Sequence, residues 1–280
     1  MPFVEIEDGR IYYESHGKGL PLVLIHGAWA SHEWWRWQVP ALSRHYRVLS
    51  LDVRGHGKSS PLKAASSVED FAADLQVFLE KIETREVVLV GWSMGGLISM
   101  QYCLNYPSEV KALILIATRG HRNPFLKFHI IQQYLQARLS LFTAFSSPRQ
   151  YYREPEKFPS ETRDWLAMEV RKMLSPTAPK EVFDWIMADF ANNPRENYFR
   201  VARSIWNWRA DNSLRDIKAP TLIMVGENDT MTPPRFSRLL NAAIPDSRLI
   251  IVGKASHYLA LEQPERVNGE IIEFLKGLGY

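Results

Sequence analysis

Short, almost unbroken apolar runs recur along this chain: Leu22-Val23-Leu24-Ile25, Arg47-Val48-Leu49-Ser50-Leu51, Val87-Val88-Leu89-Val90 and Ala112-Leu113-Ile114-Leu115-Ile116. A strand that is apolar at nearly every position has both faces covered, the pattern of a parallel sheet between helices. Ahead of these runs, Phe3 to Glu7 and Arg10 to Glu14 alternate apolar and polar residues on either side of Asp8-Gly9. That alternation around Asp-Gly predicts a β-hairpin. Between the runs lie amphipathic segments. In the clearest, Val68 to Glu80, residues Val68, Phe71, Leu75, Phe78 and Leu79 share one helical face. Strand–helix alternation of this kind predicts a doubly wound α/β sheet.

The rhythm fails after Thr118. The next strand, Thr221-Leu222-Ile223-Met224-Val225, begins only after Pro220, whereas an ordinary crossover takes about 30 residues. Residues 119–212 are aromatic and helical in character, interrupted by Pro124, Pro148, Pro155, Pro159, Pro176, Pro179 and Pro194. The expectation is a mostly helical cap at 119–212, set over the C-terminal edge of a core built from residues 1–118 and 213–280. The sheet pattern resumes at Leu249-Ile250-Ile251-Val252 and closes on a helix from Glu265 to Leu275. Internal repeats and low-complexity tracts are absent from the sequence.

Composition narrows the partners. The chain has 280 residues, 46% hydrophobic and 23% charged, with a formal net charge of +3, an ordinary globular make-up. Its basic residues are interleaved with acids, as at Glu80-Lys81, Arg85-Glu86 and Glu169 with Arg171. Such pairs read as solvated helix faces rather than a phosphate-binding stripe, and give nucleic-acid binding no support. Cys103 is the only cysteine, which excludes an intrachain disulfide. The acidic, alternating start is unlike a secretory signal. No apolar stretch nears the roughly 18 residues a membrane span needs. A soluble, cytoplasmic protein without a membrane span is expected; oligomeric state stays open.

The chemistry centres on Ser93, in Gly91-Trp92-Ser93-Met94-Gly95-Gly96. The apolar run Val87 to Val90 leads into it and a helix-compatible segment leads away. Serine on a tight strand-to-helix turn is presented with an exposed hydroxyl and a strained backbone. A hydroxyl attacks well only beside a base, and the base needs an acceptor that holds its tautomer. Among eight histidines, His257 lies just past the last predicted strand, at the sheet edge where Ser93 lies and where open α/β sheets gather their ligands. His45 and His121 fall in less constrained segments. Asp229 follows the strand ending at Val225 on that edge. Glu227, on the same loop, is the competing carboxylate; Asp229 is preferred because it lies further beyond the strand end and has room to turn inward. After Ile116 the chain reads Ala117-Thr118-Arg119-Gly120, with no carboxylate for the role.

With the order Ser93, Asp229, His257, the chain resembles the α/β-hydrolase superfamily, specifically its capped, carboxylesterase-like serine hydrolases. Two further segments carry the resemblance. His26-Gly27 after the third strand is similar to the family's oxyanion-loop signature, and Asp52-Val53-Arg54-Gly55-His56-Gly57-Lys58-Ser59 to its D-x-R-G-x-G-x-S segment. The likeness runs from Ile6 to the C-terminus except in the cap. It implies an α/β-hydrolase fold and an oxyanion hole from the backbone N–H groups of Ala28 and Met94. It leaves His26 as a scaffold residue, and Arg54 and His56 as organisers of the loop after the fourth strand.

Serine at the turn, rather than aspartate, implies an acyl-enzyme and not the alkyl-enzyme of dehalogenases and most epoxide hydrolases. His26-Gly27-Ala28-Trp29 departs from the His-Gly-Gly-Gly type of oxyanion loop. The resemblance therefore implies an enzyme, a carboxylesterase for small-molecule esters of short to medium chain length. Carbon–carbon bond hydrolases, lactonases and cofactor-free perhydrolases share the same triad, and a small-molecule receptor on a hydrolase scaffold is the non-catalytic alternative. Trp29 and Trp92 are candidates for apolar pocket walls, with core packing as the competing role; Trp185, Trp206 and Trp208 are the cap's counterparts. Nothing in the sequence implies a metal or an organic cofactor: Gly-rich nucleotide motifs and metal-ligand spacings are both missing.

Overall fold

A computed structural model describes residues 2–62, 66–120, 170–192 and 198–280. Eight strands form one sheet: β1 Phe3–Ile6, β2 Gly9–His16, β3 Pro21–Ile25, β4 Arg47–Leu51, β5 Val87–Trp92, β6 Val110–Ile116, β7 Thr221–Gly226 and β8 Ser247–Val252. Their spatial order is β1-β2-β4-β3-β5-β6-β7-β8. β1 and β2 form the expected hairpin, closing at Ile6 opposite Gly9, and β2 runs antiparallel to β4. All pairings from β4 to β8 are parallel.

The continuous apolar runs explain the two-layer covering. Alternate side chains of a strand point to opposite faces. Val23, Ile25, Leu49, Leu89 and Leu113 accordingly pack with Phe71, Leu75 and Phe78 of the helix Val68–Lys81. Leu22, Leu24, Val48, Val88, Val90 and Ile114 pack on the other face with Val267, Ile271 and Leu275 of the helix Pro264–Gly277. The helix Val68–Lys81 starts at a capping box, in which Ser67 Oγ accepts the Asp70 N–H and the Asp70 carboxylate accepts the Ser67 N–H. The predicted face of this helix is the buried one. β8 departs from the expectation of a covered strand: it is the sheet edge, only Val252 is fully buried, and Ile251 is 37% exposed. An edge strand has a neighbour on one side only, which leaves part of its apolar run uncovered.

Of the stretch expected to form a cap, residues 121–169 and 193–197 lie outside the described residues, and His121 and His129 with them. The described part holds the helices Lys180–Asn192 and Tyr198–Asn207. Val182 and Ile186 join the cluster that contains Trp34, Trp92 and Tyr258. Trp208 lies against the helix Met94–Asn105, its indole N–H donating to Gln101 Oε1 at 2.8 Å. Among the described residues no helix is long and apolar enough to cross a membrane.

Candidate active site

β5 is buried along its whole length and passes at Ser93 into the helix Met94–Asn105. Ser93 sits at φ 53° and ψ −112°, a backbone region costly for a residue with a Cβ. Neighbouring strands hold it there. Its N–H donates to Ile116 O at 2.9 Å, and Thr118 Oγ1 donates to its carbonyl at 2.7 Å. The turn also demands glycine at position 95, where a Cβ would lie 2.0 Å from Ile25 O and 2.8 Å from His26 O. The helix start is thus pressed against the loop leaving β3.

His257 Nε2 lies 3.1 Å from Ser93 Oγ, and His257 Nδ1 lies 2.9 Å from Asp229 Oδ2. An ionised carboxylate only accepts, so Nδ1 carries the proton and Nε2 is left to accept from the serine hydroxyl. Asp229 is buried, and burial pushes its pKa up; the His257 charge and hydrogen bond, with those from Thr232, outweigh this and hold it below the ordinary carboxylate range. Its oxygens receive the backbone N–H groups of Met231 and Thr232 and the Thr232 hydroxyl, each at 2.8 Å. Thr232 Oγ1 is also 3.3 Å from His257 Nδ1. Glu227 turns elsewhere, accepting the Lys254 N–H at 3.2 Å.

The loop carrying His257 is tied on both sides. Trp92 donates its indole N–H to His257 O at 2.9 Å. Buried Glu262 accepts the Ser256 N–H at 2.7 Å and the Ser256 hydroxyl at 2.8 Å, and also the Ser175 N–H at 2.8 Å. Trp92 is 6% exposed and stacks on Trp34 with ring centroids 4.7 Å apart. Trp92 thus packs within an aromatic cluster beside Ser93. Trp34 in turn meets Trp185 edge-on at 5.0 Å and donates to Asp189 Oδ2 at 2.5 Å. Burial raises the Asp189 carboxyl to about 6 despite that hydrogen bond.

Ala28 follows Gly27, where a Cβ would stand 2.7 Å from the Trp92 ring and 3.2 Å from Ser93 Cβ; glycine alone lets this loop lie against the nucleophile turn. Met94 is the first residue of its helix, where N–H groups lack intrahelical partners and the dipole favours an anion. Among the described residues neither the Ala28 nor the Met94 N–H has a hydrogen-bond acceptor. Trp29 is half-buried at φ 60°. His26 is wholly buried and satisfied, accepting the Val53 N–H at Nε2 (3.0 Å) and bonding Gly27 O through Nδ1 (2.7 Å). Burial lowers its pKa and keeps the ring neutral. Arg54 forks onto Asp74 at 2.6 and 2.7 Å, and buried His56, its pKa pushed down to about 3, bonds Arg54 O. Both organise the loop after β4. Sequence reasoning missed Thr232, Trp34, Asp189 and Glu262. The first has a visible signal, a hydroxyl three residues past the candidate acid; the others depend on long-range packing. Among the described residues no group of three or more His, Cys, Asp or Glu side chains is arranged to hold a metal ion.

The profile of the α/β-hydrolase fold family matches residues 21–264. This chain belongs to the α/β-hydrolase family. It is 28% identical over 254 residues to a 2-hydroxy-6-oxo-2,4-heptadienoate hydrolase of Pseudomonas putida, covering 88% of this chain and 86% of that protein. It is 28% identical over 269 residues to a pimeloyl-[acyl-carrier protein] methyl ester esterase of Vibrio campbellii, covering 95% and 98%. The solved structure of a thermophilic esterase from Thermogutta terrifontis superposes with a TM-score of 0.79 at 26% identity, covering 96% of this chain and 94% of that one.

Proposed function

We propose that this α/β hydrolase is a serine hydrolase that works through an acyl-enzyme, and that its substrates are small carboxylic esters of short to medium chain length. The observation that carries the reading is the unbroken relay from Ser93 Oγ to His257 Nε2 and from His257 Nδ1 to Asp229, at 3.1 and 2.9 Å. Ser93 attacks the ester carbonyl while His257 takes its proton. The tetrahedral oxyanion is received by the Ala28 and Met94 N–H groups, each such donor contributing roughly 3 kcal/mol to the barrier reduction. The imidazolium, stabilised by Asp229, then protonates the departing alcohol. Water enters, gives its proton to His257 and releases the acid. In this reading residues 119–212 supply the substrate-selecting cap, and Trp29 and Trp92 are its candidate apolar walls. Likeness to an esterase structure and to a methyl ester esterase supports the ester class.

A second reading has an observation of its own. The Pseudomonas putida relative acts on a dienoate with a 6-oxo group, and carbon–carbon cleavage next to a ketone uses the same nucleophile and base. One experiment separates the readings: p-nitrophenyl esters of increasing chain length beside one vinylogous diketone. A burst of p-nitrophenol from the butyrate, lost in Ser93→Ala, supports the esterase. Turnover of the diketone alone would transfer the assignment, and full hydrolysis by Ser93→Ala would end it.

A further inference from the structure

The loop from His26 to Ser31, which carries Ala28, is pinned at both ends by histidines onto consecutive residues of the loop after β4. At its start His26 accepts the Val53 N–H. At its far end the His32 N–H donates to Asp52 Oδ1 at 2.6 Å, and His32 Nδ1 lies 2.8 Å from the same oxygen. Within the loop the Ala30 N–H donates to Gly27 O at 3.4 Å, Trp29 has φ 60°, and Ala30 is fully buried.

The two pins differ in charge. His26 bonds through a neutral ring. His32 Nε2 lies 3.4 Å from Glu14 Oε1, so this ring stands between two carboxylates. Nδ1 donates to Asp52, and Nε2 stands at ion-pair distance from Glu14, whose Oε1 also accepts the Tyr12 hydroxyl at 2.8 Å; a ring set between two carboxylates is stabilised as the imidazolium. Asp52 is completely buried, and its second oxygen takes the Lys58 N–H at 2.8 Å. A buried carboxylate needs such compensation, and His32 supplies the opposite charge. Burial opposes the His32 charge, but the Asp52 hydrogen bond and the Asp52 and Glu14 charges outweigh it and raise its pKa above the ordinary imidazole value. Lys58 acts against the charge and Asp189 favours it, while His26, which also interacts with both Asp52 and His32, is neutral. Glu14 shares its other oxygen with His16 at 3.3 Å, and the Tyr12 ring covers His32 at 4.8 Å between centroids.

We propose that His32, held as an imidazolium between Asp52 and Glu14, is a positioning residue that fixes the oxyanion loop, so that hydrolysis fails in alkali when this proton is lost. The inference rests on the serine-hydrolase reading, since only an oxyanion hole at Ala28 makes the loop's position matter to rate. Above the folded-state pKa of His32 the ring becomes neutral, Asp52 and Glu14 lose the positive charge between them, and the charge-assisted hold of Asp52 on the far end of the loop is reduced to neutral hydrogen bonds from the His32 N–H and Nδ1.

The test is steady-state hydrolysis of p-nitrophenyl butyrate between about pH 6 and 10, with spontaneous hydrolysis subtracted and kcat expressed per Ser93 counted by burst amplitude. Wild type is expected to lose kcat on an alkaline limb. His32→Gln is expected to lower kcat per counted site about 10- to 100-fold at pH 7, with KM within about threefold, and to lack that limb. Glu14→Gln removes one carboxylate from a half-buried strand position and keeps the ring; its limb is expected to shift down by about half a pH unit or more. A merely structural role would lower the burst amplitude and leave kcat per counted site alone. The inference is overturned if His32→Gln keeps that kcat within twofold, or if the limb of Glu14→Gln coincides with that of wild type. Hydrolysis surviving in Ser93→Ala would sink the parent reading itself, a result distinct from either of these.

Discussion

The indole N–H of Trp92 donates to the carbonyl oxygen of His257 across 2.9 Å, so the residue that precedes the proposed nucleophile in sequence fastens the loop of the proposed base 165 positions later. Trp92→Phe would keep the ring on Trp34 and remove only the donor. A buried carbonyl left without its partner costs about 1–3 kcal/mol. The expected result is a Tm lower by several degrees and a kcat lower by about tenfold, with KM much less affected. Thermal melts and ester kinetics on the same preparation check both.

The two carboxylates of the Gly226–Asp229 loop should separate cleanly. Asp229→Asn is expected to lower kcat by about 10³- to 10⁴-fold, because the amide cannot hold His257 in the tautomer that accepts from serine. Glu227→Gln, which alters only a contact to the Lys254 N–H, should stay within about threefold. Thr232→Val removes one of the bonds that hold Asp229 ionised and should fall between them. Equal losses in Asp229→Asn and Glu227→Gln would mean the acid is misassigned.

Asp189 makes stability depend on pH in an unusual direction for a carboxylate. Its folded pKa is raised to about 6 from an ordinary 3.8, so the unfolded chain binds its proton more weakly than the native one. The resulting cost to folding is fully present above about pH 6 and disappears as pH falls below the unfolded value. Asp189→Asn keeps an acceptor for the Trp34 N–H and is expected to raise stability at pH 7–8 by up to about 2–3 kcal/mol, with the gain fading toward pH 4. Tm measured against pH for both proteins tests the sign; a gain that grew on acidification would refute it.

Two glycines, each within a helix, should respond oppositely to alanine. At Gly95 the new methyl would meet Ile25 O at 2.0 Å, and the expected outcome is a protein that misfolds or loses ester hydrolysis by at least about a hundredfold. At Gly269, exposed in the helix Pro264–Gly277, a Cβ meets nothing within 4 Å. Gly269→Ala should therefore stabilise by about 0.5–1 kcal/mol. Denaturant midpoints of the two variants give the comparison directly.

What the sequence disclosed follows the range of the forces involved. The strand runs at Leu22 and Val87, the amphipathic face of Val68 to Glu80 and the glycines around Ser93 are local patterns, and each is found in the fold where its pattern places it. Asp229 and His257 were legible because a strand end fixes where the next residue points. Trp92 was not, because whether an indole lines a pocket or braces a loop depends on Trp34 and on the His257 carbonyl, both distant in sequence. His32 was invisible for the same reason: its proposed charge depends on Asp52, in the loop after β4, and on Glu14 of β2, both distant in sequence. The partly exposed β8 shows the converse limit, since an apolar run does not announce which strand will be the last in the sheet.

β6 and β7 pair Leu113–Ile116 with Thr221–Met224, and the Leu113 N–H donates to Pro220 O at 2.9 Å. Neighbours in the hydrogen-bonded ladder, which ends on Ala117 N–H to Met224 O, thus bracket residues 118–219, and the paired strands Leu113–Ile116 and Thr221–Met224 lie outside that stretch. Among the described residues, contacts such as Thr118 with Ser93, Trp34 with Asp189 and Ser175 with Glu262 tie that stretch to the surroundings of the Ser93–His257 pair. Change at those positions is therefore constrained by the Ser93 turn and the His257 loop, while the strands on either side of the stretch keep their pairing whatever its length.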